Sequence, residues 1–132
     1  MSRDGELIAT IRRGLDASNR GDFDSAVKDA DPDIELVTID GLTKLRGVDE
    51  FRAWIEPTTV ENVVARTEHF EVAGNNVLVR HLNRGRGVTS GIRLEMRFWA
   101  VWTFNDSGLV TRIVGFHEDE EAEARQAAGM PE

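Results

Sequence analysis

Alternation of apolar and polar residues is clearest between positions 91 and 118, where it predicts two long strands joined by a turn. In the first predicted strand, 92–104, every even position is apolar from Leu94 to Phe104. Successive side chains on a strand point to opposite faces, so these residues predict one buried surface. Residues 105–108 predict the turn, and 109–117 the second strand. Strands this long are typical of a curled sheet that wraps around a core or a cavity.

The second face of this hairpin is also apolar, although a sheet that faces water on one side needs only one buried face. The residues assigned to this convex face are Trp99, Val101, Val110, Val114 and Phe116. Such a patch is large for a monomer and predicts a homodimer through the convex face of the sheet. The alternative is that a terminal helix, 119–128, folds back over the patch. Its only apolar residues are alanines, which predicts a weak lid.

The remaining pattern places three helices ahead of most strands. Helical spacing predicts a helix over 6–19 with Asp4 as N-cap and Gly21 at its end, and a short second helix capped by Asp22. We expect a strand at 34–39, a loop at 41–47 and a helix at 48–55. Strands at 60–73 and 77–84 precede the long hairpin, and a short acidic helix follows position 118. Helices gathered before an antiparallel meander predict the α+β class.

Length and composition indicate one domain and argue against disulfide-rich, nucleic-acid-binding and membrane-spanning proteins. The 132 residues predict a single domain, 1–132, and the absence of cysteine excludes disulfides and thiolate chemistry. A net charge of −8 argues against nucleic acid as a partner, because phosphate binding needs a basic surface. No apolar run is long enough to span a membrane. The first residues lack an apolar signal core, so a cytoplasmic location is expected.

Several short motifs in order resemble one superfamily. They are Asn19-Arg20-Gly21-Asp22, Arg46-Gly47-Val48-Asp49-Glu50-Phe51, Ala73-Gly74 before Val77-Leu78-Val79, Gly85-Arg86-Gly87 with Ser90-Gly91, and Val101-Trp102-Thr103-Phe104 with Gly108. The set is similar to the nuclear transport factor 2-like superfamily, in its SnoaL-like branch. That branch includes polyketide cyclases, ketosteroid isomerases and limonene-epoxide hydrolases.

The resemblance implies a cone-shaped, curved antiparallel sheet wrapped around N-terminal helices, an alpha+beta barrel of cystatin-like type with an internal pocket. It does not carry over the known catalytic sets. The ketosteroid isomerase Tyr, base Asp and second Asp fall on Gly14, Thr38 and Ala100, and the Asp-Arg-Asp arrangement of the epoxide hydrolases is missing from strand 92–104. Many SnoaL-like members carry His at the position of Ala100.

Two residues are candidate proton carriers. His117 ends the last strand on the face that the resemblance turns toward the cavity, and histidine titrates near neutrality. The alternative is a rim histidine bonded to acids such as Glu118. Asp40 lies on the Thr38 face, where an apolar pocket would raise the pKa of its carboxyl and make it a base. The alternative is that Asp40 caps the turn at Gly41.

The other candidates line the expected pocket and bind substrate. Thr38 is a hydrogen-bond donor, His81 is a ligand contact or a satisfied core histidine, and an apolar, aromatic wall comes from Trp54, Met96, Phe98 and Trp102. Plain core packing is the alternative for this wall, and Ala100 belongs to the same face.

The three histidines show no metal-ligand spacing, so neither a metal nor a cofactor is expected. The leading hypothesis is a cofactor-free SnoaL-like protein with an apolar pocket, performing acid-base chemistry of isomerase, cyclase or hydrolase type on a small hydrophobic or polycyclic molecule. The rival hypothesis is a non-catalytic ligand-binding or dimerisation module that keeps the fold without the catalytic residues.

Overall fold

The computed structural model describes residues 2–57 and 60–131. The helices are α1 (Arg3–Asn19), α2 (Phe23–Ala26), α3 (Val48–Ile55) and α4 (Glu121–Ala127). The strands are β1 (Ala30–Val37), β2 (Lys44–Arg46), β3 (Val60–Ala73), β4 (Asn76–Gly87), β5 (Arg93–Phe104) and β6 (Val110–His117). The predicted α+β class is confirmed. Of the helices in these residues, none is long and apolar enough to cross a membrane.

One curved sheet carries the six strands in the order β2-β1-β6-β5-β4-β3. Strands β3 to β6 form the predicted antiparallel meander. The sheet is not wholly antiparallel, because β1 pairs with β6 in parallel. It is also not the expected barrel, because β2 and β3 remain as open edges. The result is an open cone, with its concave face toward α1, α2 and α3.

Capping residues determine where the N-terminal helices begin and end. Helix α1 begins earlier than predicted, because Ser2 and not Asp4 is the N-cap, and its hydroxyl accepts from the Gly5 N–H at 3.1 Å. Gly21 follows α1 with a positive φ of 76°, and Asp22 caps α2, both as predicted. The short strand β2 was expected to be a loop. Only three residues long, it carries too little alternation to be recognised.

Asn19 joins the end of α1 to the open edge of the sheet. Its side-chain amide donates to the Ala65 carbonyl at 2.9 Å, and its Oδ1 accepts from the Ala65 N–H at 2.7 Å. These two bonds satisfy backbone groups of edge strand β3 that have no neighbouring strand on that side. The contact holds the helices over the concave face.

The long hairpin has the predicted register, with Trp102 opposite Ile113 and Ala100 opposite Gly115. The prediction that all even positions of 92–104 are buried is wrong at one end. Leu94 and Met96 are 45% and 48% exposed, so the first half of β5 is only partly covered by the rest of the protein. The buried core begins at Trp99 and Ala100 and continues to Phe104.

The predicted faces of strand 109–117 are wrong at its start. Phe104 pairs with Val110, whereas Thr103 pairs with Arg112, so Thr111 is an extra residue in a β-bulge. The bulge changes the face of the residues before it. Val110 therefore packs in the main core with Phe104 rather than on the convex face.

The predicted convex patch is covered rather than exposed. Trp99 and Val101 are 4% and 3% exposed and pack against Ala124 and Ala128 of the C-terminal segment. Trp99 also donates its indole N–H to the Glu118 carbonyl at 3.1 Å. The expectation that the alanine-containing helix is a weak lid is wrong, because small side chains let the helix approach the tryptophan ring closely.

A polar clamp fixes α4 in this position. The guanidinium of Arg125 donates two hydrogen bonds of 2.9 Å to the carboxylate of Glu71 on β3. Arg125, with a smaller contribution from His69, lowers the pKa of Glu71 to about 2. The helix therefore belongs to the folded unit, and only the half-buried Val114 and Phe116 remain of the outer apolar patch.

Candidate functional site

A cavity of about 360 Å³ lies between the helices and the concave face of the sheet. Its walls come from α1, α2, α3 and all the long strands. The lining is apolar except for Ser18, Thr38, His81, Asn83 and the indole N–H of Trp102. Among the described residues that line it, none is Asp, Glu, Lys or Arg. Such a cavity has the size and the surface of a small-molecule site.

Small residues create the space. Gly14, Ala26, Ala65, Ala100 and Gly115 all line the cavity, and Ala100 faces Gly115 across neighbouring strands. A Cβ atom added at Gly115 would come within 2.9 Å of Ile39 Cγ1. Glycine at position 115 therefore makes room for Ile39, which itself lines the cavity.

The structure brings seven of the nine predicted site residues to this cavity. They are Thr38, Trp54, His81, Met96, Phe98, Ala100 and Trp102. Trp54 and Met96 are half-exposed, which places them where the cavity opens to solvent. Their roles in binding remain predictions, but their common location follows from strand alternation and from the position of α3.

Asp40 is exposed and does not line the cavity. Its Oδ1 accepts from the Thr38 hydroxyl at 2.7 Å and from the Leu42 N–H at 3.0 Å. The Thr38 bond, followed by the Leu42 bond, lowers the pKa of Asp40, and positive charge on His117 contributes in the same direction. The expected rise in the pKa of Asp40 is therefore wrong, because the carboxylate caps a turn instead of facing the apolar space.

His117 is also exposed and lies outside the cavity lining. Its backbone N–H donates to Glu120 Oε1 at 2.8 Å, which ties the end of β6 to the start of α4. The neighbouring Glu118 pairs with Arg80 at 2.8 Å. His117 and Asp40 thus lie near each other outside the cavity and do not converge there with His81.

His81 is the titratable residue at the centre of the cavity wall, only 3% exposed. Its Nε2 lies 3.2 Å from the indole Nε1 of Trp102, and its ring stacks on Phe98 at 4.8 Å between centroids. Burial lowers the pKa of His81 to about 4. The side chain is therefore neutral at physiological pH.

Asn83 and Ser18 are polar lining residues that the sequence reasoning missed. Asn83 lies two positions beyond His81 on β4, so it shares the inner face. Its Oδ1 is buried without a hydrogen-bond partner among the described residues. The alternation that selected His81 could have selected Asn83 as well. Ser18 reaches the cavity from α1, where helical spacing alone does not show which side faces the sheet.

Across residues 2–57 and 60–131, no group of three or more His, Asp or Glu side chains is placed to hold a metal ion. Among the described residues, the groups that line the cavity are neutral hydrogen-bonding groups and apolar side chains. Thr38 connects the cavity to a carboxylate, because it lines the cavity and donates to Asp40.

The sequence profile described as the SnoaL-like domain matches residues 11–113. Comparison with curated protein sequences gives no match. Many solved structures share the fold. An NTF2-like protein of unknown function from Burkholderia pseudomallei K96243 has a TM-score of 0.76 at 23% identity, covering 92% of this chain and 95% of that chain.

Two further structures are named as enzymes. A protein named as a SnoaL-like polyketide cyclase from Jannaschia sp. CCS1 has a TM-score of 0.77 at 17% identity, covering 99% of this chain and 98% of that one. SalBIII, named as an epoxide hydrolase/cyclase-like enzyme in pyran ring formation of the polyether salinomycin, has a TM-score of 0.74 at 17% identity, covering 88% and 93%. Identities this low establish the fold alone.

Proposed function

This chain belongs to the SnoaL-like domain family, and we propose that its function is to bind a small hydrophobic molecule in the cavity of the cone. The supporting observation is the cavity lining, which combines about 360 Å³ of space with apolar walls and a few neutral polar groups. A ligand with a flat apolar body suits this lining, since Phe98 and Trp102 supply ring surfaces and Trp54 stands at the opening.

Thermal unfolding with 2-acetonaphthone, a flat two-ring ketone, tests this function. A ligand that binds the native state raises its stability, by about 1.4 kcal/mol at ten times Kd. We expect the wild-type Tm to rise with ketone concentration. Ala100→Leu should abolish the rise, because the larger side chain extends from β5 into the cavity.

The matched control is Ala53→Leu, which adds the same atoms at an exposed position of α3 that does not line the cavity. This variant should keep the full wild-type shift. A wild-type Tm that does not respond to the ketone, or an equal response in Ala100→Leu, would contradict binding in the cavity.

Acid-base chemistry on the bound molecule is the second candidate function. One observation favours it, the 2.7 Å bond from the Thr38 hydroxyl in the cavity wall to the carboxylate of Asp40. Thr38 could pass a proton from a ligand to Asp40, and His117 lies near that carboxylate. The lowered pKa of Asp40 makes it a weak base, which favours binding as the first function.

Exchange of the methyl protons of 2-acetonaphthone in D₂O, followed by NMR, tests the chemistry. A cavity that abstracts a proton next to the carbonyl accelerates this exchange. Asp40→Asn and His117→Gln would then each lower the acceleration, by about 10²–10⁴-fold for a general acid or base. Exchange at the solvent rate with bound wild-type protein would exclude this chemistry and leave the proposed binding function standing.

A cytoplasmic location and a homodimeric state of this protein remain predictions.

A further inference from the structure

We propose that the indole of Trp102 holds His81 as the Nδ1–H tautomer, and that this N–H is the hydrogen-bond donor for a carbonyl oxygen of the ligand. The inference rests on the proposed binding function and specifies which polar group the ligand must carry. It makes His81 a specificity-determining residue and Trp102 a positioning residue.

The tautomer follows from the chemistry of tryptophan. The indole Nε1–H can only donate, and it lies 3.2 Å from His81 Nε2 in hydrogen-bonding geometry. His81 Nε2 must therefore accept, with its lone pair directed to Trp102. A neutral imidazole has one N–H, so the hydrogen is on Nδ1.

The Nδ1–H is left for a ligand. Among the described residues, the hydrogen-bond partner of the His81 side chain is Trp102, and that bond uses Nε2. The His81 side chain lines the cavity. An Nδ1–H without a partner among the described residues is therefore available to a ligand in that space.

The surroundings keep this donor neutral and fixed. The described residues of the lining contain no charged side chain that could pair with an imidazolium. The lowered pKa of His81, caused by burial, agrees with that environment. Phe98 stacks on the ring at 4.8 Å with an interplanar angle of 13°, which restricts its rotation.

A fixed N–H donor in an apolar cavity selects for an acceptor on the ligand. A ligand without an acceptor leaves the buried N–H without a partner, which is unfavourable. A ketone or aldehyde oxygen fits, because it accepts a hydrogen bond and cannot donate one. The ligand class is therefore a flat hydrophobic carbonyl compound.

The test compares 2-acetonaphthone with 2-isopropenylnaphthalene, in which C=CH₂ replaces C=O at nearly constant shape. Affinities of both compounds are measured for wild type and for His81→Phe. We expect the ratio of ketone to alkene affinity to fall about tenfold in His81→Phe, while the alkene still binds. The ketone and the alkene differ in their free energy of hydration. This difference is the same for both proteins, so it cancels when the two affinity ratios are compared.

Two measurements do not depend on the His81→Phe variant. The ¹⁵N shifts of His81 in wild type should show a protonated Nδ1, and in Trp102→Phe the other tautomer should appear. The infrared carbonyl band of bound 2-acetonaphthone should move to lower wavenumber than in hexane. A protonated Nε2 in wild type, or an unshifted carbonyl band, overturns the inference even if His81→Phe does not fold.

The outcomes separate this inference from the function on which it rests. If both compounds bind wild type and the affinity ratio is unchanged in His81→Phe, the inference is wrong and the binding function stands. If neither compound binds wild type, the binding function fails and the inference fails with it.

Discussion

His81 shows at the residue scale how burial determines which chemistry a side chain can perform. A histidine in water titrates near its ordinary pKa of 6.5, whereas burial lowers the pKa of His81 to about 4. The neutral ring is a weak base at physiological pH, and it can donate one hydrogen bond. His117, which the sequence favoured as a proton carrier, lies in contact with water outside the cavity.

The lowered pKa of His81 predicts that the protein becomes less stable as the pH is lowered. Between pH 6.5 and 4 the unfolded chain binds a proton at this residue and the native protein does not, so the free energy of unfolding decreases as pH falls. The full loss is about 3 kcal/mol. Urea denaturation at a series of pH values measures it.

One variant assigns this pH dependence. In His81→Gln the slope of stability against pH over this window should be smaller than in wild type, since the amide does not titrate. Equal slopes in His81→Gln and wild type would show that His81 titrates normally in the native state.

Strand alternation predicted the cavity-lining residues well, because it specifies which face a side chain occupies. His81 and Phe98 lie on the same face because they are directly opposite each other in the pairing of β4 with β5. Asp40 was misjudged because β1 ends at Val37, and alternation does not describe the turn beyond a strand end. The capping bonds of Asp40 depend on that turn and cannot be read from the pattern.

Helix α4 shows at the scale of elements that coverage depends on fit as well as on hydrophobicity. Ala124 and Ala128 lie four residues apart on one side of the helix and are almost fully buried against the Trp99 surface. A count of apolar side chains undervalues such a helix, because alanine contributes little area but permits close approach. The clamp between Arg125 and Glu71 adds a long-range contact that no local pattern reveals.

A charge at the contact between α4 and the sheet should release the helix. Ala124→Glu would bury an unpaired carboxylate against Trp99, so we expect α4 to detach instead. Cleavage by a glutamate-specific protease within 118–123 should accelerate about tenfold or more, which corresponds to about 1.4 kcal/mol of easier local opening.

Ala122→Glu is the control, because Ala122 is exposed in the first turn of the same helix. Its cleavage rate should stay near the wild-type rate after allowance for the added site. Equal protection of Ala124→Glu and Ala122→Glu would mean that α4 does not depend on its contact with the Trp99 surface.

At the scale of the whole molecule, the remaining question is whether two copies of the chain form a dimer. The covered Trp99 removes part of the surface that predicted a dimer, and Val114 and Phe116 are the half-buried apolar residues that remain on the outer side of β6. We keep the homodimer as a proposal on this smaller surface. A two-fold contact there would bury the same residues on both copies.

Sedimentation equilibrium at micromolar concentration tests the dimer. We expect a mass about twice the 14.7 kDa of the chain. Val114→Glu should reduce that mass to the monomer, because it places like charges together across the two-fold contact. Val88→Glu, at an exposed position near the β4–β5 turn, should not. A wild-type mass of 14.7 kDa at all concentrations would exclude the dimer.

The fold as a whole could be predicted because the order of helices and strands, the long hairpin and the spaced glycine motifs all agree with one architecture. The open edge of the sheet could not, since barrel closure depends on strand curvature rather than on alternation. The presence of the cavity likewise depends on how far α1 and α3 lie from the sheet. Small residues such as Gly14 and Ala100 permit that distance but do not specify it.

The most direct test of the central claim locates a bound molecule inside the cone. Isotope-filtered NOE spectroscopy of labelled protein with 2-acetonaphthone reports which methyl groups touch the ligand. A ligand in the cavity predicts NOEs to the methyl groups of Ala100, Met96 and Ile113. NOEs confined to exposed methyl groups such as those of Leu42 and Val88, or no intermolecular NOEs at saturating ketone, would contradict it.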